Sequence, residues 1–187
     1  MNLNHPIISG DSHLEVDSSR WLHRVPAEYR DVAPHTVRMP NGGDAWVVDN
    51  SPPVEAPFDL YGGKGRNVWT PYGQNYDDLA GSGTPEQRIQ EQEKGGLDAE
   101  VLYPNEASGP KLWRKIRDDT AYNAVVHAYN DWLAEEYCVV NSKRLIGLGV
   151  LPYSSMRATL NELEHCAQLG LKGVILNGFP NGHGYPM

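Results

Sequence analysis

Leu145-Ile146-Gly147-Leu148-Gly149-Val150-Leu151, then Pro152 to Lys172, then Gly173-Val174-Ile175-Leu176, is the stretch on which the fold turns. Both ends are unbroken apolar runs, which suits strands covered on both faces in a parallel sheet. The segment between them predicts a helix over about 155–169, with Leu160, Leu163 and Ala167 on its apolar face and Gly170 as its stop. Two parallel strands need such a crossover to bring the chain back to the same end of the sheet.

The same unit recurs toward the N-terminus. Ala99-Glu100-Val101-Leu102-Tyr103-Pro104 reads as a strand, followed by a helix over about 119–140 whose apolar residues Ala121, Val125, Tyr129, Trp132, Leu133 and Tyr137 return at helical steps. Thr84-Pro85-Glu86-Gln87 is a helix start, with a capping Thr, Pro at the first helical position and Gln three residues after the cap; this helix ends at Gly95-Gly96. His5-Pro6-Ile7-Ile8-Ser9-Gly10-Asp11 is a short strand opening onto polar residues. Strand, insertion, helix, strand, helix, strand, helix, strand is the order of a parallel α/β sheet. Four such strands make a small open sheet or half of an eight-stranded barrel, which usually needs about 250 residues.

The insertion spans about 34–83. Thr36–Met39 and Ala45–Val48 flank Asn41-Gly42-Gly43-Asp44, a hairpin signal because Asn-Gly tolerates the positive φ of tight turns. Asp49 to Gly83 has no apolar period and is expected to be the most mobile part, lying over the C-terminal ends of the strands. Its aromatic residues Trp69, Tyr72 and Tyr76 either cover that end or pack the insertion itself. Arg20 to Asp31 reads as a helical turn carrying Trp21, Leu22 and Val25.

Composition narrows the function. Among 187 residues, 16 Lys and Arg against 24 Asp and Glu leave a net charge of −8, which excludes a general nucleic-acid binder. No apolar run approaches the roughly 18 residues of a membrane span, and Met1 to Pro6 lacks the basic and apolar regions of a secretory leader. Cys138 and Cys166 are too few for a disulfide scaffold and read as small core residues. A soluble cytoplasmic protein is expected, with a small-molecule substrate, no nucleic-acid or membrane partner, and self-association as a possibility.

The residues that carry chemistry follow the first strand. In an extended chain Asp11, His13 and Glu15 share one face. An imidazole and a carboxylate two residues apart can grip one divalent cation, with the third group as ligand or orienter. The same pattern also suits a hydrogen-bonded strand end that binds nothing.

Ile7 to Glu15 resembles the opening of the amidohydrolase superfamily, in the amidohydrolase-related branch that includes aminocarboxymuconate semialdehyde decarboxylase. Trp21 to Asp31, Asp98 to Pro104, Tyr129 to Leu133 and Gly170 to Val174 fit the same branch. The resemblance implies a TIM-type (β/α)8 barrel, of which this chain supplies about the first four strands, with the hairpin and loop insertion after strand 1. Residues 1–187 would then be the N-terminal half of a metal-dependent barrel domain. The resemblance also implies one divalent metal, zinc or alternatively manganese, held by His13 and Glu15 with Asp11 beside them. Glu15 stands where the family usually has a second His, and a carboxylate is a harder donor that suits manganese as well as zinc. The family's later ligands, a His after the fifth strand and an Asp after the eighth, have no counterpart here, so catalytic residues of those kinds are not assigned. The implied reaction is hydrolysis of a small polar or carboxylated substrate; the alternatives are non-oxidative decarboxylation of an aromatic or dienoic acid, and an inactive fragment.

Asn105 and Glu106 after the second core strand, and His183 after the fourth, fall on the rim where a barrel binds substrate. Gly62-Gly63-Lys64-Gly65-Arg66 lacks the strand and the Gly-Lys-Ser/Thr of a phosphate loop and reads as a mobile loop. His127 and His165 fall within helices and read as surface or packed residues, and Arg114-Lys115-Ile116-Arg117 as a solvated loop.

Overall fold

The computed structural model describes residues 5–55, 72–77, 83–105 and 109–178. The chain begins with β1 (Ile8–Leu14) and passes through three single 3-10 turns between Ser18 and Tyr29. A hairpin sheet follows, built from β2 (His35–Arg38), β3 (Asp44–Val47) and β4 (Val54–Glu55). The predicted turn is present, with Gly42 at φ +85° between β2 and β3. Then come α1 (Pro85–Gly95), β5 (Ala99–Pro104), the short α2 (Pro110–Trp113), α3 (Asp119–Trp132), β6 (Leu145–Leu151), α4 (Met156–Gln168) and β7 (Gly173–Leu176).

Strands β1, β5, β6 and β7 pair in that order, all parallel, as the βα reading of the sequence requires. The insertion forms a separate antiparallel sheet in the order β2-β3-β4. Helix α1 starts where expected: Thr84 caps it by accepting from the Gln87 N–H, and Gly96 ends it at φ +71°.

The core lies between the parallel sheet and α3. Trp21, Trp113, Tyr129, Trp132 and Tyr137 form a chain of tilted or edge-on ring contacts with centroids 4.9–5.7 Å apart. That chain fastens the first 3-10 turns and α2 onto α3, and aromatic pairs in these geometries add to simple burial.

Three expectations are corrected. The helix predicted over 119–140 keeps an α-helical ladder only to Trp132, then widens into a π turn at Leu133–Tyr137 and tightens into a 3-10 turn at Cys138–Asn141. The apolar periodicity continues because the π turn rephases Leu133 and Tyr137 into the core, where both are buried. In α4 the expected face is reversed: Leu160 and Leu163 are 55% and 41% exposed, while Thr159, Glu162 and Cys166 are buried. Polar partners explain the reversal, since Thr159 Oγ1 donates to the Pro152 carbonyl and Glu162 accepts from Asn130 and pairs with His127. The 114–117 cluster is not merely solvated. Ile116 is fully buried, the Arg114 guanidinium lies 5.0 Å over the Tyr122 ring, and Arg117 pairs with Asp49. Arg117 and its own N–H hold the Asp49 carboxyl below its ordinary range and so fix the turn after β3, where Asp49 and Asn50 both have positive φ.

The expectation of mobility over 49–83 falls largely outside the described residues, as do Trp69 and the 62–66 segment.

Candidate metal centre at the end of the first strand

Strand β1 carries one extra residue relative to β5: Ser9 pairs with Glu100, but Ser12 pairs with Leu102. The bulge falls at Gly10 and Asp11, and such insertions re-aim the side chains that follow them. Asp11 and His13 both point to solvent, with Asp11 Oδ1 3.9 Å from His13 Nε2. Two donors on one ion, each about 2.0–2.2 Å from it, lie no more than about 4.4 Å apart, so this pair fits a shared divalent cation.

Glu15 lies one residue past the end of β1 and is buried. The Tyr76 hydroxyl donates to its Oε1, and Trp46 Nε1 donates to the same hydroxyl at 2.8 Å. Burial, and then the Glu15 charge, push the Tyr76 phenol far above its ordinary pKa, so it stays a donor. The Asp44 carboxylate receives the Tyr76 N–H at 2.8 Å and thereby positions the ring from β3. The structure thus brings Asp11 and His13 together and draws Glu15 inward against the insertion. Tyr72 is 67% exposed, whereas Tyr76 packs edge-on against Trp46 with centroids 6.0 Å apart.

A second brace comes from α1. Arg88 donates through Nε and Nη2 to the Glu100 carboxylate at 2.7 and 2.9 Å, and through Nη1 to the His13 carbonyl at 3.3 Å. Burial raises the Glu100 carboxyl, but Arg88 and Gln92 outweigh it and hold the group below its ordinary range. Sequence reading did not single out Arg88. The signal was a carboxylate, Glu100, inside an otherwise apolar strand, which requires a cationic or hydrogen-bonding partner.

Asn105 is buried just after β5, and its N–H donates to the Leu14 carbonyl at 3.3 Å. It lines a cavity of about 20 Å³ with Leu14, Trp46, Trp113 and Tyr129. Glu106 and His183 lie outside the described residues. Cys138 and Cys166 are buried free thiols whose pKa burial raises to about 11 and about 12, consistent with inert core residues. Among the described residues, a metal-compatible set with donor atoms within 4.8 Å of one another occurs elsewhere, at His127, Asp131 and His165. Both histidines lie within helices, at positions that periodicity by itself reads as surface or packed.

Parallel strands joined by helical crossovers, with an imidazole and a carboxylate at the C-terminal end of one strand, are the arrangement of a (β/α) barrel, whose sites lie at that end. Solved structures similar to this chain in shape include an amidohydrolase and decarboxylases. One is an amidohydrolase from Mycobacterium avium subsp. paratuberculosis K-10 (TM-score 0.66, 16% identity, 93% of this chain and 50% of that one). Another is the 5-carboxyvanillate decarboxylase LigW from Sphingomonas paucimobilis (0.55, 19%, 96% and 45%). A third is a dihydroxybenzoic acid decarboxylase from Polaromonas sp. JS666 with bound manganese and the inhibitor 2-nitroresorcinol (0.52, 19%, 94% and 39%). At these identities the likeness establishes the fold. The chain spans half or less of the length of each of these structures. No protein-family model and no curated protein matches the sequence. No helix among the described residues is long and apolar enough to cross a membrane.

Proposed function

We propose that the chain forms the first half of a (β/α)8 barrel of the amidohydrolase type and acts, within such a barrel, as a metal-dependent hydrolase on a small polar or carboxylated substrate. The observation that carries this is the Asp11–His13 pair, 3.9 Å apart and exposed just after a bulge in β1. His13 and Asp11 would hold the metal, with Glu15 as the further carboxylate and Asn105 at the substrate rim. Zinc and manganese both suit a donor set of one imidazole and carboxylates. When bound, the metal polarises a water or a substrate oxygen. The protein's own residues do the positioning. Arg88 fixes the His13 backbone, and Tyr76 holds one oxygen of Glu15 and so sets the orientation of the whole carboxylate.

A second reading, decarboxylation of an aromatic acid, is supported by two of the similar structures, decarboxylases named for dihydroxybenzoic acid and for 5-carboxyvanillate. Release of carbon dioxide from a panel of hydroxylated benzoates, set against ammonia or amine release from amides, separates the two readings. The third reading, a chain inactive by itself, predicts neither product.

The test of the site is metal content. His13→Ala and Glu15→Ala are each expected to weaken divalent-metal binding by about 10-fold or more, as loss of a ligand or of a group that orients the ligands does. Elemental analysis that finds both variants as fully loaded as the parent protein overturns the assignment.

A further inference from the structure

Away from the strand ends, α3 and α4 face each other through an ordered set of polar side chains. His127 and Asp131 stand four residues apart on α3, and Glu162 and His165 three apart on α4, so each pair projects from one helix face toward the other helix. The two imidazole rings lie nearly parallel, 25° apart with centroids 4.0 Å apart. Asp131 stands between their Nε2 atoms, 2.6 Å from His165 and 3.8 Å from His127.

We propose that His127, Asp131 and His165 form a binding site for a borderline divalent cation of the zinc type, which clamps α3 to α4. Two imidazole nitrogens and one carboxylate oxygen form an N2O donor set, which suits Zn²⁺, Ni²⁺ and Cu²⁺ and leaves a position for water. The three donor atoms lie within 4.8 Å of one another, close to the roughly 4.4 Å that two donors on one ion can span, and a common ion would draw them together and turn the stacked rings toward it.

The surrounding residues support the assignment independently. Glu162 Oε2 lies 2.9 Å from His127 Nδ1, the carboxylate–histidine arrangement that orients metal-binding imidazoles. With Nδ1 of His127 held by Glu162, its Nε2 faces the Asp131 carboxylate, where a cation can take the place of the ring's second proton. Glu162 is itself fixed: it is buried, and Asn130 Nδ2 donates to its Oε1 at 2.7 Å. Asn130 is anchored in turn by bonds to both the N–H and the carbonyl of Val150 in β6. Three layers of contacts therefore aim one nitrogen at one point. His127 is exposed and Asp131 and His165 are half-buried, so an ion can reach the three side chains from solvent.

This inference does not rest on the function proposed above, and the experiment keeps the two apart. Zn²⁺ is titrated into the whole chain and into His165→Ala, Asp131→Asn, Glu162→Gln and His13→Ala variants by equilibrium dialysis, with circular dichroism as a check on folding. One zinc equivalent is expected to weaken by about 10-fold or more in His165→Ala and Asp131→Asn, to weaken by about 10–100-fold in Glu162→Gln, and to persist in His13→Ala. Histidine ¹⁵N spectra of the unsubstituted chain supply a reading that needs no variant to fold: zinc is expected to shift Nε2 of both His127 and His165. Unshifted Nε2 resonances at saturating zinc, or folded His165→Ala and Asp131→Asn proteins that bind zinc like the parent, overturn the proposal.

Discussion

Tyr76 comes from the stretch of sequence with the least visible order, yet it joins the hairpin sheet to the end of β1. Its hydroxyl receives the Trp46 N–H and donates to the buried Glu15. Tyr76→Phe leaves a buried carboxylate oxygen without that donor, which costs about 1–3 kcal/mol. A drop of that size in the urea-unfolding free energy is expected, and an unchanged midpoint would mean that water replaces the phenol. Glu100 makes a related prediction with a pH signature. Its carboxyl is depressed in the folded protein, so the stability it contributes is present above the ordinary carboxylate pKa of about 4.3 and is lost as pH falls through the folded value. Arg88→Met removes that depression and breaks a buried pair, at a cost of roughly 3–5 kcal/mol near neutral pH. The difference between parent and variant is expected to shrink as pH falls below the variant's higher carboxyl pKa and to level off once the parent's depressed carboxyl is protonated too; a gap constant with pH contradicts the pairing.

At the scale of elements, α4 shows how a helix can seat its polar stripe inward. Leu160 and Leu163 are exposed, so Leu163→Lys is expected to change stability by no more than about 0.5 kcal/mol. Thr159, Glu162 and Cys166 instead meet β6 and α3, and they meet them closely: a Cβ at Gly149 would lie 2.7 Å from Cys166 Sγ and 3.1 Å from Leu171 Cδ1. Gly149→Ala is therefore expected to destabilise by about 1–3 kcal/mol, as overpacking does. Asn130 explains why that contact can exist. The β5–β6 pairing ends at Leu102 and Gly147, and beyond it Asn130 supplies the hydrogen bonds of Val150. Thermal denaturation that ranks Leu163→Lys below Gly149→Ala in stability would reverse this account of the helix face.

Across the whole molecule, the parallel sheet has β1 and β7 as its outer strands among the described residues. Ile8 and Leu176 on those strands are 54% and 45% exposed, and Met156, Leu160 and Leu163 on α4 add further apolar surface. Open strand edges and exposed apolar side chains favour association. The isolated chain is expected to sediment as a dimer or larger species, with the sedimentation coefficient rising with concentration. A single monomeric boundary across a wide concentration range refutes this.

The order and parallel pairing of β1, β5, β6 and β7 were legible in the sequence, because the continuous apolar runs and their helical crossovers are local patterns with one common solution. The caps of α1 and the Gly42 turn were legible for the same reason: each depends on a few adjacent residues. Asp11 and His13 could be placed on one face from strand alternation alone. The position of Glu15 could not, because alternation stops where β1 ends and Tyr76, 61 residues away, takes the carboxylate. The face of α4 was misread for a similar reason. Periodicity weighs the hydrophobicity of a helix's own residues, whereas the partners that make Thr159 and Glu162 worth burying are on Pro152, Asn130 and His127. His127 and His165, on different helices and far apart along the chain, become a pair of stacked rings only when the packing of α3 against α4 brings them together.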